Sequence, residues 1–196
     1  PDALELQMPD GSQVRALATR TEIRTADDMM WRGRLESGGG RVILTQKDGV
    51  IIGIIETVDG LYGLNTLPDG GQVLVRYEQS QFPECAGELE PPSLGASRLP
   101  MDAPVAADPP GQIDVMIVYT PEARSAAGGT SQIEASIQFA VDQANTAFSD
   151  SNVFTRFNLV HSTEVSYNES GNMYNDLFWL EDDPTVAALR NTHATD

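Results

Sequence analysis

The chain has 196 residues, 40% of them hydrophobic, and a formal net charge of −17. That length holds one large domain or two small ones, and that apolar fraction excludes a disordered chain. The charge opposes binding to nucleic acid or an anionic membrane, and no apolar run nears the ~20 residues of a membrane helix.

Lys47 is the only lysine, so arginine supplies nearly all the positive charge. The numbering starts at Pro1 rather than Met, which is expected if a leader segment has been removed. The first zone, residues 1–88, reads as a β-rich domain. Strands are expected near residues 4–8, 13–23 and 30–35. Four more follow at 41–47, 50–58, 61–67 and 72–77. Asp48-Gly49, Asp59-Gly60 and Asp69-Gly70 separate these four. Asp-Gly between apolar runs is a hairpin signal, so the prediction is an antiparallel meander. The run Val50-Ile51-Ile52-Gly53-Ile54-Ile55 suits a buried strand.

Residues 89–112 read as a Pro/Ala-rich linker, with Pro91-Pro92 and Pro109-Pro110 within it. Proline at that density breaks helix and sheet alike. Such a tether is where an activating cleavage is expected, and Arg98 is its basic residue.

From Ile113 the pattern becomes strand, helix, strand, helix. Residues 113–119 are almost continuously apolar, which predicts a strand covered on both faces. Thr120-Pro121 ends it. Ser131 with Glu134 three residues on predicts a helix opened by a capping box. Its expected apolar face is Ile133, Ile137, Ala140, Val141, Ala144, Ala147 and Phe148. A second strand is expected within 154–165 and a short helix near 172–180. Asp183-Pro184 predicts a further helix, with Asp as cap and Pro in its first turn. A β-α-β unit implies parallel strands. Two parallel strands cannot bury both faces, so the domain over 113–196 is expected to be incomplete. The fold class predicted is α+β.

The segment Ile113-Asp-Val-Met-Ile-Val-Tyr-Thr-Pro-Glu-Ala-Arg124 is distinctive, as are Val141-Asp-Gln-Ala-Asn-Thr-Ala-Phe148 and Leu189-Arg-Asn-Thr192 with a terminal Asp. Together they resemble the opening of the catalytic domain in bacterial reprolysin-like metalloproteases of the metzincin group, including peptidyl-Asp metalloendopeptidases. The resemblance implies an N-terminal pro-region and the first β-α-β-α part of a catalytic domain. It implies a secreted zinc endopeptidase as parent, acting on protein or peptide substrates. Its Zn2+ ligands would lie in a His-Glu-x-x-His motif beyond Asp196, so this chain alone is expected to be inactive. Its partner would be the rest of its own catalytic domain, with neither nucleic acid nor membrane.

His161 and His193 are the only histidines, and neither has a second His four residues away. Both are read as ordinary residues. Cys85 is the lone cysteine, so no internal disulfide can form. It lies in Phe82-Pro83-Glu84-Cys85-Ala86-Gly87, which is similar to the cysteine switch of matrix metalloprotease and adamalysin pro-regions. There a thiolate fills the zinc's open position. Here Ala86 separates Cys85 from Gly87 and no basic residue adjoins, so Cys85 is either an inhibitory zinc ligand or a thiol with no zinc role. Glu181-Asp182-Asp183 could bind Ca2+ or cap the helix at Pro184. Asn168-Glu169-Ser170 matches the glycosylation pattern, and Trp31 and Trp179 read as core or surface aromatics. The competing reading is a non-enzymatic β-rich binding or adhesion module joined to a small α/β domain.

Overall fold

A computed structural model describes residues 1–82 and 111–193. The fold is mixed α+β. Seven strands come first: β1 (Ala3–Gln7), β2 (Gln13–Thr25), β3 (Asp28–Leu35), β4 (Arg41–Lys47), β5 (Val50–Thr57), β6 (Gly60–Thr66) and β7 (Gln72–Tyr77). Each pairs antiparallel with the next, so the sheet is a meander in chain order. All seven expected strands are present, within about two residues of their expected ends. Asp48 (φ 50°) and Gly49 (φ 80°) both take positive φ between β4 and β5, as a two-residue hairpin turn requires.

The sheet curls. β2 carries register shifts between Ala18 and Arg20 and between Ile23 and Thr25, and such bulges bend a strand. Leu4 and Leu6 of β1 therefore reach the same core as Tyr62 of β6 and Leu74 of β7. The inner face gives that core through Ala16, Trp31, Leu35, Val42 and Ile55. The outer face is buried too over β3 to β5, where Met30, Ile43, Thr45, Val50 and Ile52 are shielded. An antiparallel sheet solvated on one side would leave those positions polar.

What shields them comes from the second half of the chain. After β8 (Gln112–Tyr119) come α1 (Pro121–Ala127) and the long α2 (Thr130–Asp150). β9 (Arg156–Glu164), α3 (Met173–Asp182) and α4 (Pro184–His193) follow. β8 and β9 pair in parallel, as the β-α-β pattern predicts. Helix α2 lies between the two sheets. Ala135 and Phe139 pack on Val50 and Ile52 of the meander, and α2 also contacts β9. Asn145 fixes the start of β9 by bonding the backbone of Phe157 twice, amide to carbonyl and N–H to side-chain oxygen, each at 2.8 Å.

Three expectations need correction. Thr120-Pro121 does end β8, but it also starts α1: Thr120 Oγ1 accepts from the Ala123 N–H at 3.0 Å and Pro121 sits at the first helical position. The capping box at Ser131 is absent. α2 begins at Thr130 with Gly129 as N-cap and no side-chain cap. Glu134 instead accepts hydrogen bonds from Tyr119 of β8 and Ser162 of β9, a tertiary tie that outweighs a local one. Finally, β8 is exposed at Gln112 and Ile113, half-buried from there to Val118 and buried at Tyr119, because α3 and α4 leave an open groove beside it. The segment 89–112 and the domain limits drawn from it fall mostly outside the described residues.

Candidate functional site

A polar cluster lies at the seam where α2 crosses the outer face of the meander. Asp142 lies on the buried side of α2 and is 5% exposed. Arg24 of β2 grips its carboxylate at both oxygens, 2.9 and 3.1 Å. The Thr45 hydroxyl donates to it at 2.7 Å and the Gln138 amide at 3.2 Å. Arg24 also bonds Asp28 at 2.8 Å, and Lys47 lies 3.4 Å from that carboxylate. Burial works against the Arg24 charge. Its bonds to Asp28 and the charge of Asp142 outweigh that, and its pKa stands above the ordinary value.

Asp150 repeats the pattern eight residues along, roughly 12 Å at the helical rise. Arg32 of β3 donates to both its oxygens at 2.7 Å, and Arg41 of β4 reaches one at 3.3 Å. Arg41 is held by Glu56 at 2.7 Å. Sheet arginines therefore read two aspartates on one side of one helix. Bidentate guanidinium–carboxylate pairing adds geometric selectivity to attraction. Among the described residues no buried side-chain nitrogen or oxygen lacks a partner.

The second half holds a different feature. An open groove of about 650 Å³ runs beside β8, lined in part by Met116, Val118, Leu177, Leu180 and Val186. Next to it α3 exposes Met173, Leu177 and Phe178 at 80%, 55% and 40%. Among the described residues nothing covers that apolar helix face. At the end of β8, Tyr119 donates to Glu134 at 3.0 Å. Burial, that bond and the charges of Glu134 and Glu164 raise the Tyr119 pKa above its ordinary value near 10. A group whose folded pKa is raised contributes stability in full below the unfolded pKa and loses it as pH climbs through the folded one. Stability is thus expected to fall in the alkaline range above about pH 10, and Tyr119→Phe is expected to flatten that fall in pH-stepped urea melts.

The residues singled out from the sequence fare unequally. His161 of β9 and His193 of α4 are brought together, with rings stacked at 4.0 Å and 11°. Nearly parallel stacked rings do not aim their nitrogens at one centre, so the pair does not suit a metal ion. Among the described residues no group of three or more His, Cys, Asp or Glu could hold one. Asp183 caps α4, accepting from the N–H groups of Thr185 and Val186 at 2.9 and 3.0 Å. Trp31 is core, and Trp179 stacks on Tyr167 at 4.0 Å. Cys85 and Arg98 lie outside the described residues. Among the described residues no helix is long and apolar enough to cross a membrane.

The sequence reading missed Arg24, Asp142 and Asp150. The signal was available in part: Asp142 adjoins Val141 on the buried side of the helix, where a carboxylate needs a partner.

No family model matches the chain. Across nearly its whole length it is similar to metalloendopeptidases. It is 30% identical over 216 residues to a peptidyl-Asp metalloendopeptidase of Xanthomonas campestris pv. campestris, covering 98% of this chain and 51% of that protein. Peptidyl-Asp metalloendopeptidases of Stenotrophomonas maltophilia strains R551-3 and K279a are 27% and 26% identical, each over 85% of this chain and 44% of the relative. The chain spans about half the length of the curated relatives it matches. A solved chaperone–substrate complex aligns over 44% of this chain and 78% of its own at 20% identity, with a TM-score of 0.36.

Proposed function

We propose that the chain is the pro-region and the front part of the catalytic domain of a secreted, metzincin-type zinc endopeptidase precursor. The similarity to metalloendopeptidases over 98% of the chain and 51% of the relative carries this reading. The seam supports it, because a meander clasping the first long helix of the following domain is what an intramolecular chaperone or inhibitor requires. The groove beside β8 and the bare apolar face of α3 are where we place the remainder of the catalytic domain. Peptide bonds of proteins are the substrates proposed for the whole enzyme. Its zinc would be held by the His-Glu-x-x-His motif that the resemblance places beyond Asp196.

In this reading residues 1–88 keep the precursor latent, the segment 89–112 is cut on activation, and Cys85 is the candidate thiol ligand of the zinc. Latency of the full-length precursor tests it. Cys85→Ala is expected to raise peptidase activity of the uncut precursor at least ~10-fold, the loss of one strong metal ligand. No rise, with latency intact, would leave steric blockade by the meander as the inhibitory device and remove Cys85 from the metal. A full-length protein without peptidase activity before or after cleavage would sink the reading as a whole.

A further inference from the structure

We propose that the outer face of the meander is a self-sufficient recognition surface for α2, so that the N-terminal part stays bound after the chain is cut between residues 83 and 110. The proposal deepens the function proposed above, since it concerns how the pro-region is retained and released. The occupant is specific: a helix with small and aromatic residues at Ala135 and Phe139 and carboxylates at Asp142 and Asp150. Each has its counterpart on the sheet. Val50 and Ile52 receive Ala135 and Phe139. Arg24 and Thr45 receive Asp142, and Arg32 and Arg41 receive Asp150. A helix displaced by one turn would leave Arg24 and the buried Thr45 hydroxyl facing no carboxylate, so the register is fixed by charge.

The two aspartates differ in exposure, and this sets what can loosen the seam. Asp142, with its side chain 6% exposed, is little screened by salt, whereas Asp150, at 36%, is reached by counter-ions. Cleavage of the connecting segment alone then does not free the pro-region. High ionic strength weakens only the Asp150 end. Removal of the pro-region calls for a second event that acts on the seam, such as proteolysis within the meander.

The test uses the whole 196-residue chain with a single site for a specific protease placed between residues 83 and 110. The cut wild-type protein is expected to migrate as one species in size-exclusion chromatography and in native mass spectrometry. Asp142→Asn is expected to weaken the association ~30-fold or more, the scale for truncating a buried, hydrogen-bonded charge pair. Asp150→Lys, which sets a cation against Arg32 and Arg41 at an exposed helix end, is expected to weaken the association most at low salt, where that repulsion is least screened. Glu36→Gln, in the exposed Arg15–Glu36 pair away from the seam, is expected to change nothing. Pieces that separate in the wild type would overturn the proposal. So would variants at Asp142 and Asp150 that hold together as the wild type does, with circular dichroism of the uncut chains confirming that each is folded. This experiment reads association, not peptidase activity, so it can fail while the protease reading stands, and the reverse.

Discussion

Asp142→Ala is expected to lower the unfolding free energy by about 3 kcal/mol, the low end for breaking a buried ion pair. The side chain accepts from Arg24 twice, from Thr45 and from Gln138. Alanine leaves the fully buried Thr45 hydroxyl without its acceptor and Arg24 with Asp28 as its carboxylate partner. Because Arg24 keeps Asp28 and its side chain is 23% exposed, the upper end of the range is not reached. The combined change of Arg24→Met with Asp142→Leu is expected to recover part of the loss, since it removes the uncompensated charge but still leaves the Thr45 hydroxyl without its acceptor. Urea melts followed by far-ultraviolet circular dichroism read both. A loss under about 1 kcal/mol for the alanine variant would mean the seam is exposed and screened in solution, as surface pairs are.

Trp31→Ala is expected to cost about 4 kcal/mol, at the level of other aromatic truncations in a packed core. Trp31 is 3% exposed and joins the core shared by β1 to β7. Its indole N–H donates to the Pro1 carbonyl at 2.9 Å, which ties down the first residue. The ring lies over Gly33 on the same strand: a Cβ there would come within 2.3 Å of the ring and 2.8 Å of the Leu17 carbonyl. Gly33→Ala therefore displaces the ring and destabilises in the same direction, while Trp31→Phe, which keeps the apolar body but loses the hydrogen bond, costs less. Thermal melts that rank the three as Trp31→Phe mildest would bear this out, and a melt unchanged by Trp31→Ala would show that the inner face of the curled sheet is not the core.

Much of the fold was legible because its signals are local. Alternation of apolar residues and Asp-Gly turns set the seven strands, and a long 3.6-residue period set α2. Those cues depend on contacts a few residues apart. α1 escaped notice because Thr120-Pro121 reads as both a strand stop and a helix start, and only the Gly128-Gly129 turn after it shows where a seven-residue helix fits. Glu134 has a spacing from Ser131 that matches a helix cap. Its partners, Tyr119 and Ser162, lie 15 and 28 residues away, and no local spacing reports them.

The seam was beyond any such reading. Arg24 and Asp142 are 118 residues apart, as are Arg32 and Asp150. The sequence by itself determined the meander, the parallel β-α-β and the absence of a paired-histidine motif. It even hinted, in the doubly apolar run from Val50 to Ile55, that something covers the outer face of the sheet. Only the tertiary structure decided that α2 is the cover, and that its aspartates meet three sheet arginines. A buried charge is specified by whatever lies opposite it in space, and that pairing is fixed by how two sheets close on one helix, not by the order of residues along the chain.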